Sequence, residues 1–345
     1  MKRVSVMITS YNQERYIIQA LKSVLIQDYP NLEILIGDDA STDKTEEIIK
    51  PYLKDRRIKY VRHEKNIGQT ANKHKLLYEH ANGSYMMQLD GDDFLTDNTY
   101  ISQAMKLAEK NDLSAIFAKN RVLIEKNKIY IEDKINSDLP CVIDGNRLFI
   151  NYYKGYSLPS PGFIYDRSKA LSAGFFEKGD IPSYDWESFL KLFINNKVGF
   201  INKYVSVWRK HTANVTKNAD LDDFGKTILY IESLFDYACK KSYFHKNALG
   251  LWRKRMLKRV FFRLYVTFSI LEQPERIKEL ILYVKNNYRH LYHEILLDPR
   301  LLLFRLLSVD EKMIYWAFKN ILKQESFFVD LMADNNNLKY PKIAK

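Results

Sequence analysis

The sequence predicts a mostly parallel α/β sheet flanked by helices, followed by a C-terminal α-helical region. Two observations carry that fold class. Over residues 1–90, short apolar runs alternate with stretches whose apolar residues recur every three to four positions, which is strand and helix in turn. Beyond Asp220 the short runs stop, no glycine follows Gly250, and only helical spacing remains.

The elements follow in order. Val4 to Thr9 is a short apolar strand, and Ser10 and Asn12 behind it are helix-capping types. Ile17, Ala20, Leu21, Val24 and Leu25 then share one helical face until Pro30. Leu32 to Ile36 is a second strand, Thr45 to Leu53 a helix, and Ile58 to His63 a third strand. A turn at Asn66-Ile67-Gly68 leads into a helix through His80, and Tyr85 to Asp90 is the fourth strand. Such alternation implies right-handed crossovers between parallel strands. Further on come a helix from Ile101 to Glu109, two strands between Leu113 and Tyr130, and a short strand Phe163 to Tyr165. A helix carries Trp186, Phe189, Leu190 and Phe193 on one stripe, and a closing strand begins at Val205. Helical repeats then run Ile228–Tyr237, Leu249–Leu271, Ile277–Val284, Ile295–Leu307 and Met313–Leu322, and Asp334 to Asn337 reads as a frayed tail.

Composition narrows the function classes. Two cysteines, Cys141 and Cys239, cannot build a disulfide framework or a zinc cage, so a reducing cytoplasm fits. No run approaches the roughly 20 apolar residues of a spanning helix. A net charge of +12 points to anionic partners: nucleic acid, anionic lipid or phosphorylated substrates.

The chemistry concentrates where the fourth strand ends, at Asp90-Gly91-Asp92-Asp93. Carboxylates this close repel unless a cation or a web of donors neutralises them, and a hard divalent ion shared with substrate phosphates does so. The bland reading is a solvated Asp-Gly turn. In parallel α/β sheets ligands sit beyond the carboxyl ends of the strands. Thr9-Ser10-Tyr11, Asp38-Asp39 and Asp90-Gly91-Asp92 therefore share one rim. Neither the GxGxxG fingerprint nor a P-loop is present.

Val4 to Asn12, Ile34 to Asp43, Asn66 to Gln69, Gly83 to Asp93 and Tyr184-Asp185-Trp186-Glu187, in that order, resemble the family 2 glycosyltransferases, which adopt the nucleotide-sugar-binding GT-A fold. The likeness spans residues 3–215. It implies a GT-A domain over 1–218, nucleotide-binding in 1–95 and acceptor-binding in 96–218, with 219–345 as a helical appendage. It implies an inverting enzyme that moves a sugar from a UDP-sugar to a hydroxyl of a glycan or lipid-linked acceptor in surface polysaccharide synthesis, with Mn²⁺ or Mg²⁺. Thr9 and Tyr11 would line the base and ribose pocket, and Asp39 would accept the base imide N–H. Asp38 is the alternative at that position, or a structural acid capping the Ser41-Thr42 turn. Asp90 would hold the ribose, Asp92 the metal, and Asp93 would reach sugar or acceptor. Asp185 matches the general base, with Glu187 as understudy; a first-turn carboxylate that merely favours the helix N-terminus is the bland reading. Arg209 would clamp phosphate and His211 ligate the metal, in a segment like the family's Tyr-Arg-x-His-x-x-Asn with Trp208 at the Tyr. Where relatives carry Arg-Asn in the helix after Asn-x-Gly, this chain has Ala71-Asn72-Lys73-His74-Lys75. Lys73 or Lys75 would supply that charge, or both would lie on a solvated face.

Three further expectations concern partners. The basic, aromatic stretch from Lys240 to Arg263 would lie on an anionic membrane surface from the cytoplasmic side, or pack on its neighbours with its charges in water, or dimerise. Tyr152 to Ser160 would place aromatics on sugar faces or on the surface. Rival acceptors are a protein or a teichoic-acid-like polymer. The non-enzyme rival is a basic nucleic-acid-binding protein, although no nucleic acid is expected.

Overall fold

A computed structural model describes residues 1–132, 138–177, 179, 184–211, 224–241 and 244–307. Asn214, the helix expected at Met313–Leu322 and the tail at Asp334–Asn337 lie outside these residues.

The chain divides into two compact units. The first comprises Met1–Leu123, Ile129–Phe149 and Ser157–Arg209, and the second Ile124–Lys128, Ile150–Tyr156 and Lys210–Lys345. Two short excursions, at 124–128 and 150–156, therefore leave the span expected for the first domain.

The first unit is built on β1 (Val4–Ser10), β2 (Leu32–Asp38), β3 (Ile58–Arg62) and β4 (Tyr85–Asp90), linked by α1 (Ile17–Leu25), α2 (Thr45–Ile49) and α3 (Gln69–Lys75). β1 pairs in parallel with both β2 and β4, and β2 with β3. Every residue of β1 and β2 is buried, as strands covered on both faces should be. Two helices differ from expectation. α2 stops at Ile49 and a 3-10 turn, Lys50–Lys54, replaces its end, because Pro51 offers no N–H to continue it. α3 passes at Leu76–His80 into a π turn closed by Ala81 N–H to Leu76 C=O at 2.9 Å.

The second half of the sheet reverses direction. β9 (Phe163–Asp166) lies antiparallel to β4 and to β6 (Leu113–Ile124), and the order is β3-β2-β1-β4-β9-β6-β10-β5. Here β5 is Phe94–Leu95 and β10 is Lys197–Lys210, while β7 (Ile129–Glu132) pairs with β6 and β8 (Val142–Asp144) with β10. Helices α4 (Tyr100–Asn111), α5 (Gly145–Asn151), α6 (Arg167–Ser172) and α7 (Tyr184–Lys191) complete it. Sequence reading did not anticipate β5, β8, α5 or α6. Each has seven residues or fewer, too short for a period to show.

In the second unit the helices are α8 (Phe224–Lys241), α9 (Lys246–Ile270), α10 (Pro274–Asn287), α11 (Tyr292–Leu296) and α12 (Pro299–Leu307). The expected helix Ile295–Leu307 is two, divided before Pro299. α9 buries Trp252, Met256, Leu257, Val260, Phe261, Phe262, Leu264, Val266 and Phe268, so apolar contacts surround it. Five of its cations face protein acids, aromatics or carbonyls. Arg253 pairs with Glu232 at 2.7 Å and Lys258 with Asp298 at 3.4 Å; Lys254 pairs with Glu294. Arg255 stacks on Tyr153, and Arg259 donates to the carbonyls of Tyr152 and Tyr153. Internal pairing thus accounts for five cations of the basic stripe, Arg253, Lys254, Arg255, Lys258 and Arg259, and for these two tyrosines, while Lys240, Lys241 and Lys246 are exposed. Among the described residues no helix is long and apolar enough to cross a membrane.

Candidate active site

Strand register brings the predicted rim together. Thr9 is level with Asp90 across the β1/β4 pair, and Ser10 with Asp38 across β1/β2. Gly91 then donates its N–H to Thr9 C=O at 2.8 Å. A Cβ on Gly91 would stand 2.9 Å from Ile17 Cδ1 and 3.0 Å from that carbonyl, so glycine lets the acidic turn fold tightly against β1.

The acids on this rim have different partners. Asp90 accepts from Thr9 Oγ1 at 2.8 Å and pairs with Lys73 Nζ at 2.9 Å. Asp93, buried, accepts the Arg209 backbone N–H at 2.8 Å. Burial, then the Asp92 and Asp90 carboxylates, push the Asp93 carboxyl well above the usual range. Asp92 is also buried, and its carbonyl accepts from Arg209 Nε at 2.9 Å. Arg209 Nη2 donates to Gln19 Oε1, and the guanidinium lies over Tyr16 and Phe94 at 4.7 and 5.2 Å. Arg209 therefore braces the acidic turn from behind, a use of its donors that the sequence did not suggest.

At the end of β2, Asp38 is fully buried and accepts from Ser41 N–H, Tyr60 O–H and Arg62, the turn-capping role. Asp39 accepts the backbone N–H groups of Ile67 and Gly68, each at 2.8 Å. Gly68 has φ +88°, which glycine adopts without strain. Tyr11, which follows β1, is 46% exposed.

Asp185 stands in the first turn of α7. Its Oδ2 accepts from Gln88 Nε2 and Ser160 Oγ, both at 3.1 Å, while Oδ1 lies 3.7 Å from Lys73 Nζ. Burial raises its carboxyl above the usual value; Lys73 pulls the other way and Asp90 adds to the rise. Lys73 is fully buried. Burial works against its charge, but Asp185, Asp90 and Tyr184 outweigh that, and the ammonium is held well above the ordinary lysine range. Glu187, two residues on, points into the protein and pairs with Lys191 at 2.8 Å. His211 follows β10 and belongs to the second unit.

Three residues of this constellation escaped the firm sequence reading: Lys73, Gln88 and Ser160. Gln88 did leave a signal, as the one amide within the apolar run Tyr85 to Leu89. α3 left another: Gln69 to Lys75 has almost no apolar residue, yet a helix covering a parallel sheet must face it with something. It faces the sheet with Thr70, Asn72 and Lys73, all buried.

Residues 5–172 match the family model described as glycosyl transferase family 2. That span of the chain is a family 2 glycosyltransferase domain. It is 42% identical over 131 residues to an uncharacterized glycosyltransferase of Rickettsia conorii, a match covering 38% of this chain and 21% of the relative. The chain spans 21% to 32% of the length of three curated relatives it matches. Staphylococcus aureus TarS 1-349, solved with UDP-GlcNAc, shares the fold at a TM-score of 0.64 and 16% identity, covering 97% of this chain and 93% of that one. The mannosyltransferase PcManGT of Pyrobaculum calidifontis, solved with GDP-Man and Mn²⁺, does so at 0.56 and 15%, covering 97% and 87%. The architecture of this chain is thus the GT-A type, a mixed sheet flanked by helices with a helical C-terminal region.

Among the described residues no three His, Cys, Asp or Glu side chains gather around one point. Asp90 already faces Lys73. Mg²⁺ and Mn²⁺ take one or two carboxylates and complete their shell with phosphates and water, and Asp92 is the acid of this turn that would serve such an ion.

Proposed function

We propose that the chain moves a sugar from a UDP-sugar to a hydroxyl of a glycan or lipid-linked acceptor, with inversion at the anomeric carbon. The gathering of Thr9, Asp90, Lys73 and Asp185 into one charged constellation at the strand ends carries this reading. Tyr11 and Asp39 would hold the base, and Thr9 and Asp90 the ribose side. Residues 1–95 thus serve the nucleotide and 96–218 the acceptor. Asp92 would hold Mg²⁺ or Mn²⁺, whose chemistry when bound is to stabilise charge on the departing diphosphate.

The Asp185 carboxylate takes the proton of the acceptor hydroxyl. That oxygen bonds to the anomeric carbon as the bond from carbon to diphosphate oxygen breaks, and one such displacement inverts the centre. Gln88 and Ser160 keep the carboxylate aimed during the transfer.

TarS was solved with UDP-GlcNAc and PcManGT with GDP-Man, which supports a nucleotide-sugar donor. Asp39 suits any base that offers a ring N–H, so UDP-sugars are expected first and GDP-sugars are the comparison. A panel of UDP- and GDP-sugars, read by thermal stabilisation and by release of nucleoside diphosphate, tests the reading. No response to any nucleotide sugar, with or without Mn²⁺, would overturn it. An oligomer through the C-terminal helices would use exposed apolar residues such as Leu282 and Leu297, and sedimentation checks it.

A further inference from the structure

We infer that Lys73 is the positioning residue of the general base: its buried ammonium joins the carboxylate that ends β4 to the one that begins α7. This inference rests on the reading of Asp185 given above and goes one step deeper into it.

Three observations support it. First, Lys73 is completely buried, although lysine is the side chain least suited to burial unless paired. Second, its ammonium has acids on two sides, Asp90 Oδ1 at 2.9 Å and Asp185 Oδ1 at 3.7 Å, with the Tyr184 ring 5.3 Å away. Third, the Asp185 Oδ1 atom is shielded from solvent and accepts no hydrogen bond among the described residues, so Lys73 is the cation that faces it. The other oxygen has its own anchors in Gln88 and Ser160. Lys73 is itself held firmly. Its neighbour Asn72 donates to Gly37 C=O at 2.8 Å and meets His63 Nε2 at 3.1 Å, tying α3 to the ends of β2 and β3.

The consequence concerns both halves of the reaction. Asp90 sits on the donor side and Asp185 on the acceptor side, and one ammonium fixes the separation between them. It also favours the ionised carboxylate that a base must present. The groups facing Asp185 are Lys73 from α3, Asp90 and Gln88 from β4, Ser160 ahead of β9, Tyr165 from β9, and Tyr184 from its own helix. Among the described residues Lys73 is the one cation of this set.

The test compares Lys73→Gln, Lys73→Met and Lys73→Arg with Asp185→Asn. In the neutral variants kcat should fall about tenfold or more, by a larger factor than KM for the donor rises. The acid limb of the kcat–pH profile should move up by roughly one unit or more, since an adjacent opposite charge shifts a carboxyl by about that much. Lys73→Arg should return the limb towards its original position. Unchanged kcat and an unmoved limb in Lys73→Gln would overturn the inference, because a merely structural lysine leaves the profile where it was. A thermal double-mutant cycle covers poorly folding variants: Lys73→Gln should lower Tm less in an Asp185→Asn background than alone, and equal losses would count against the pairing. Failure of the underlying reading is distinguishable, since Asp185→Asn would then itself keep full turnover.

Discussion

At the residue scale, Asp185 and Lys73 each sit where elementary electrostatics disfavours their charge, and each is part of the reason the other keeps it. The Asp185 carboxyl is raised by burial, so a reaction that needs it ionised should lose rate as pH falls through a value above the ordinary aspartate range. The stability sign is opposite. A carboxyl raised on folding adds stability at low pH, and that contribution is lost as pH rises through the raised value, so the working site is ionised at some expense in stability. Asp185→Asn should keep nucleotide affinity while turnover collapses by about a hundredfold or more, checked by calorimetry beside steady-state kinetics. Lys73→Met should destabilise the fold by about 3–5 kcal/mol in chemical denaturation, the cost of stranding buried acids. How much of this was legible differs by residue. Asp90 and Asp92 stood out by local pattern, and Asp185 through the family resemblance. Lys73 did not, since a polar helix reads as a solvated one until its partners, remote in sequence, are in place.

Among elements, the four parallel strands and their rim could be read because short apolar runs alternate with helical spacing, most clearly at β1 and β2, which are buried along their whole length. The direction reversal at β9 could not, for a four-residue strand carries no record of its pairing. Element contacts also explain why α3 presents Lys73 inward. A Cβ on Gly37 would stand 2.3 Å from Asn72 Oδ1 and 2.8 Å from Leu76 Cδ1, so bare backbone there lets α3 approach β2. Gly37→Ala should cost about 1–3 kcal/mol by overpacking and should lower turnover through the displaced Lys73. Denaturation midpoints and kcat on the same preparations check both, and normal turnover in a destabilised protein would separate packing from positioning.

For the whole molecule, a run of cations in the sequence does not by itself say which of them face solvent. The sequence put +12 on the chain and a run of cations between Lys240 and Arg263, which suggested a membrane or a nucleic acid. In the fold several of those cations are spent inside the helical unit, on Glu232, Glu294, Asp298 and the tyrosines. Glu232 receives both Arg253 and Tyr288 O–H, so Glu232→Ala should cost about 1–3 kcal/mol in thermal or denaturant unfolding. The same pairing predicts weak binding to anionic vesicles, with little loss on raising salt; tight, salt-sensitive co-sedimentation would show that other cations form a lipid surface. The polarity of the sheet has a further consequence. Because β4 runs with β1 on one edge and against β9 on the other, Ser160 reaches the rim from the segment entering a strand, whereas Thr9, Asp38 and Asp90 reach it from segments leaving one. On the function proposed above, a change in the segment ahead of β9 would alter how Ser160 approaches Asp185 while leaving the strand ends that carry Thr9, Asp38 and Asp90 in place.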